Sequence, residues 1–178
     1  MLQSIQFTRL KQLVAEQSRS TSDLRLIGYG MIQSLCGWFH CEWGTLWHVR
    51  EDRQVLLPIA AWRDPLLPAD RLWEDTRHKT LAPDEGNAGI VWRTGQPKCA
   101  SNLVLDMCLP RSLDARDAGL VSGIWIPVRR ESRVDGVVEM LGTHYWSNSE
   151  PFLRELSELG AALGECLASA RAKEPCAP

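Results

Sequence analysis

No stretch of this chain approaches the length of a membrane span, and its first dozen residues, MLQSIQFTRLKQ, carry charge where a secretory apolar core would have to begin. These two absences make a cytoplasmic location the expectation, with the cysteines as thiols. The six cysteines form no C-x-x-C, so neither a zinc knuckle nor a dithiol redox motif is written here. Neither sign of charge dominates: the formal net charge is -2 and the signs are mixed along the chain. That balance gives no electrostatic reason to expect nucleic acid or an anionic membrane as a partner. There is no P-loop, no dinucleotide-type glycine fingerprint, no serine, histidine and carboxylate signature of a nucleophilic hydrolase, and no internal repeat. A metal site is not expected either. Cys36, His40 and Cys41 lie close in sequence, but neighbours on a strand point opposite ways and a further donor is missing.

What is present is a chain of 178 residues, 44% hydrophobic and 24% charged, long enough for one sizeable core. Eight tryptophans stand out, each a broad apolar surface with an N–H that needs a partner when buried. The organising stretch is Gly119 to Gly142, read as strands Val121–Val128 and Val134–Leu141 joined by the charged turn Arg129–Arg133. Both parities of both strands carry large apolar groups, which places the hairpin mid-sheet with cover on both faces. Helical patterns on either side supply that cover.

Along the rest of the chain, residues 2–18 read as a helix with a weak apolar face. A second helix, about Leu24 to Phe39, carries the stripe Leu24, Ile27, Met31, Leu35 and Trp38. His40–Arg50 and Val55–Trp62 read as strands, the second at an edge because of Pro58. Short helices over Ala69–Lys79 and Asn87–Thr94 follow, then a strand from Pro97 to Leu103 and a poorly patterned span from Val104 to Ala118, read as a pocket-covering loop or short helix. The last helix, Phe152 to about Arg171, shows Phe152, Leu156, Leu159, Leu163 and Cys166 at alternating four and three spacing, a coiled-coil-like seam. The expected organisation is an N-terminal helix and linker over 1–23, a domain over 24–171, and a loose tail over 172–178.

This order resembles the GAF family of sensor domains, and local matches carry the resemblance. Asn87–Pro97, NAGIVWRTGQP, is similar to the family's glycine-bearing short helix ending in a Gly-x-Pro turn. Ala118–Val128, AGLVSGIWIPV, is similar to its alanine-glycine-leucine lead into the fourth strand. Gly136–Leu141 and Leu159–Gly164 resemble the fifth strand and the closing helix. The resemblance implies an α+β fold: a GAF-like antiparallel sheet of five or six strands, terminal helices on one face and a ligand-pocket crossover on the other. It also implies a pocket walled by Trp62, Trp73, Trp92 and Trp125, with Arg93, Asn102, Asp106, Cys108 and Arg111 as further contacts. A homodimer is expected through the terminal helices, using Ile5, Leu13, Phe152, Leu156, Leu159 and Leu163, with the same seam lying within the chain against Leu24, Ile27 and Met31 as the competing reading.

The function implied is a sensory or regulatory domain that binds a small ligand and passes its state on through those helices, to an output domain or partner. The balance of these readings is against an enzyme, and no cofactor is named. Three alternatives stand beside it. One is a dimeric protein-interaction scaffold without a ligand. A second is a bilin photosensor, for which Cys108 is in the right segment but is followed by Leu109 and Pro110 rather than histidine. A third is cysteine-dependent reduction of free methionine sulfoxide using Cys99 and Cys108, although Leu120-Val121-Ser122 stands where that branch carries a cysteine. The cyclic-nucleotide branch's Asn-Lys-x-Phe run is absent.

Overall fold

The computed structural model describes residues 8, 9, 12, 15, 16, 21, 23–103, 105, 111–146 and 148–171. In chain order the elements are α1 (Leu24–Phe39), β1 (Trp43–Arg50), β2 (Val55–Arg63), α2 (Asp70–His78), α3 (Gly86–Thr94), β3 (Lys98–Ala100), α4 (Ser112–Asp117), β4 (Ser122–Arg130), β5 (Arg133–Gly142) and α5 (Glu150–Arg171). The described strands form one open antiparallel sheet in the order β2-β1-β5-β4-β3, five strands rather than six.

The valine-rich hairpin is the middle of that sheet, with β5 central and β4 beside it. Its turn is tighter than the charged run suggests. Arg130 pairs with Arg133 across a two-residue loop in which Glu131 takes positive φ, and a register shift at Val128/Arg129 absorbs the extra residue. The mixed parities of the sequence follow from this position, because the sheet is covered on both sides. Ile124, Ile126, Val128, Val138 and Met140 face α1 and α5, while Trp125, Val137 and Leu141 face the crossover.

Three element ends differ from the sequence reading, each for a local reason. His40 does not begin a strand. It adopts left-handed backbone and caps α1, whose first turn is held by Asp23 accepting from the Arg25 N–H, and β1 starts at Trp43. β3 spans Lys98–Ala100 and stops there, because beyond it the chain turns until Leu103 N–H reaches the Val121 carbonyl at 2.7 Å. Within 104–118 the short helix is α4, at its far end.

The α5 seam expected to pack between subunits packs inward. Leu156, Leu159 and Leu163 are 0%, 2% and 1% exposed, buried with Met31, Ile32 and Leu35 against the sheet. The four and three spacing suits a helix crossing a sheet as well as a coil, and here the sheet takes it. Phe152 is half-buried and stacks on Trp146, with ring centroids 6.1 Å apart. Ile5 and Leu13 lie outside the described residues. Two glycines set how close α5 comes: a Cβ on Gly160 would stand 2.1 Å from the Pro127 carbonyl oxygen, and one on Gly164 1.7 Å from that of Arg129. Among the described residues no helix is long and apolar enough to cross a membrane.

Candidate ligand chamber on the crossover face

The opposite face of the sheet carries a different kind of side chain. Thr45 of β1, Glu139 of β5 and Trp125 of β4 stand in one row across three strands, since Thr45 and Trp125 each pair with Glu139. Trp43 and Trp47 flank that row on β1, two residues either side of Thr45, as strand alternation requires. All five are buried, and the segments carrying α2, α3 and α4 close over them.

At the centre is an ion pair with almost no access to water. Arg111, at the start of α4, donates from Nη2 to Glu139 Oε1 at 2.6 Å, and both side chains are 1% exposed. Trp125 Nε1 donates to the other carboxylate oxygen at 2.9 Å. Arg111 Nη1 donates to Thr76 Oγ1 of α2, and its guanidinium carbon lies 5.1 Å from the Trp47 ring centroid. Trp43 Nε1 is satisfied by Thr45 Oγ1 at 3.0 Å, and its ring meets Trp73 of α2 edge-on at 5.9 Å. One arginine therefore ties the end of the long crossover to α2, β1 and β5 at once. Two donors in the cluster remain open: neither Arg111 Nε nor Trp47 Nε1 has a hydrogen-bond partner among the described residues. A buried donor left without an acceptor costs about 1–3 kcal/mol, so an acceptor brought to either atom is stabilised there.

The structure brings together Trp125 and Arg111 of the expected pocket, with Trp73 and Trp92 half-buried against the same core. Trp62 is on the wrong side. It pairs with Gly44, whose row faces Ile32 and Cys36 of α1, and so it packs into the helix-side core. Arg93 is at the surface in an ion pair with Asp84. Asn102 is half-buried just past β3. Asp106 and Cys108 lie outside the described residues.

Cys99 also faces away from the chamber. It pairs with Ile124 and is buried in the helix-side core with Cys36 and Cys41. Burial pushes its thiol up to about 11, and burial likewise raises Cys36 and Cys41 well above the usual thiol range. A nucleophilic thiol needs the opposite shift. Among the described residues no group of three or more histidine, cysteine or acidic side chains is placed to hold a metal.

Glu139, Thr76, Thr45, Trp43 and Trp47 were not among the expected site residues. Glu139 had a readable signal, a single carboxylate inside the apolar run Val137–Leu141. Its partners had none, because Thr76 and Arg111 are 35 residues apart and meet through the fold alone.

No family model matches the chain, and no curated protein does. Solved structures do. The GAF domain of an Acinetobacter phosphoenolpyruvate-protein phosphotransferase is 18% identical, with a TM-score of 0.69 over 93% of this chain and 95% of that one. A free methionine-R-sulfoxide reductase from Neisseria meningitidis, solved with its substrate, is 15% identical, with a TM-score of 0.70 over 94% and 92%. A GAF domain from A. aeolicus in an inactive state is 14% identical, with a TM-score of 0.70 over 93% and 97%. At these identities the likeness is one of fold, and the fold is GAF-like. The expectation against an enzyme is corrected by the same comparison: a catalytic reductase shares the fold as closely as the GAF domains do.

Proposed function

We propose that this chain is a sensory domain whose small ligand, bearing a carboxylate or carbonyl oxygen, is received in the chamber around Arg111 and Glu139. The observation that carries the reading is a pair of donors without a partner among the described residues, Arg111 Nε and Trp47 Nε1, buried beside an ion pair in an indole-lined core. An oxygen acceptor completes that hydrogen bonding, and tryptophan walls favour a ligand with a flat or apolar body. The chamber is filled by Trp43, Trp47, Trp125 and Arg111, so admission requires the Arg111 segment to lift. Binding thus selects between a latched and an unlatched crossover. The terminal helices sense the choice through the sheet, since Trp125 alternates along β4 with Ile124 and Ile126, which lie under α5.

Native mass spectrometry of the purified protein, before and after denaturation, tests this together with a thermal-shift panel of small carboxylates and carbonyl compounds. A retained molecule, or a hit that raises the melting temperature of the wild type but not of Trp47→Phe, is expected. A protein that carries nothing and answers to no member of the panel overturns the reading. Trp47→Phe keeps a six-membered ring beside Arg111 and removes the N–H, but it also deletes the five-membered ring, so each ligand shift is read against the variant's own melting temperature.

A further inference from the structure

β2 is an edge strand, and its free side is closed at one end only. Leu56 exchanges both backbone hydrogen bonds with Leu81, at 2.8 and 3.1 Å, and Pro58 has no N–H to offer. From there the edge runs along the floor of an open groove of about 420 Å³, formed by residues 58–61. Arg25 and Tyr29 of α1 make one bank, and Trp73, Thr76 and Arg77 of α2 make the other. Ala60 and Ala61 are too small to cover the strand, so the edge is reached from outside. Tyr29 is 44% exposed, a large aromatic surface turned into the groove rather than the core.

Among the described residues, the charged side chains that line this groove are both cationic. Arg25 is in no ion pair among the described residues, and Arg77 has a long, exposed contact of 3.4 Å with Glu74. An occupant with negative charge is therefore complementary to it. The floor is a row of consecutive strand residues rather than a cup, which suits an occupant as extended as the strand itself. We propose that this groove takes an acidic peptide segment of a partner protein in extended form, laid beside β2 from Ile59 onward. Its backbone adds to the sheet, its carboxylates meet Arg25 and Arg77, and an apolar side chain lies between Tyr29 and Trp73. Trp73 and Thr76 line both the groove and the chamber, but Arg25 and Arg77 take no part in the chamber, so the double variant below reads the groove whether or not the chamber holds a ligand.

The test uses the full chain and a fluorescently labelled octapeptide of alternating glutamate and valine, with the lysine and valine peptide as control. Anisotropy is expected to rise saturably with the acidic peptide and not with the basic one. The double variant Arg25→Glu, Arg77→Gln, with its far-ultraviolet circular dichroism unchanged, is expected to weaken binding by about tenfold. Hydrogen exchange of the amides of residues 59–61 is expected to slow when the acidic peptide is bound. Three results overturn the proposal: no saturable binding of the acidic peptide, binding indifferent to the double variant, or binding that leaves those amides exchanging at the free rate. Sodium benzoate serves as the small-anion probe, and if it displaces the peptide completely without slowing the amides, the groove is an anion site and not a strand acceptor.

Discussion

An arginine that is 2% exposed keeps its charge in the interior only where a carboxylate and other acceptors stand close around it, and Arg111 has Glu139 and Thr76. Removing one member of such a pair leaves the other buried and uncompensated. Arg111→Ala is therefore expected to lower unfolding stability by about 3–5 kcal/mol. The double change Arg111→Met, Glu139→Gln, which removes both charges, is expected to lose clearly less. Urea unfolding of the two variants beside the wild type checks this. Cys99 gives a prediction in pH. In the unfolded chain its thiol ionises near the ordinary 9.0, and in the folded chain near 11. Between those values the unfolded state alone sheds the proton. The stability is intact below pH 9 and falls as pH climbs toward 11, by up to about 1.4 kcal/mol per pH unit for one such thiol. Unfolding midpoints from pH 8 to 10.5, for the wild type and Cys99→Ala, are expected to diverge over that range, with the wild type falling faster.

At the scale of elements, the sequence shows most where one pattern has one physical cause. Ile27, Met31 and Leu35 of the α1 stripe are buried as their spacing demands, with Leu24 and Trp38 at its ends half-buried, and the mixed parity of the hairpin strands does follow from cover on two sides. Patterns with two solutions misled. The α5 seam fits a coil or a sheet, and Trp62 fits either face of a strand whose partner register is shifted between Leu46 and Trp47. The Arg111 cluster was legible only in pieces, because its members come from four elements and the crossover between them. The glycines of α5 permit a direct check of how that helix is seated. Glycine to alanine normally favours a helix by about 1 kcal/mol. At Gly164 the added methyl would meet a backbone oxygen, so Gly164→Ala is expected to destabilise by about 1–3 kcal/mol, measured by thermal or urea unfolding.

Across the whole molecule, two cores share one sheet, and each is sealed by a different part of the chain: α1 and α5 on one side, the crossover on the other. Leu159→Ala is expected to lower the stability of each chain by about 2–5 kcal/mol while leaving its oligomeric state as it was, because that leucine is buried within the protomer. Light scattering alongside urea unfolding reads both quantities. The seating of α5 also limits how this molecule can relay a change. A rod resting on two notches cannot roll about its own axis, since every other residue it would present at the contact is bulkier than glycine. What remains open to it is to travel with β4 as one rigid piece or to part from the strand altogether, so the relay is a tilt or a release and never a twist.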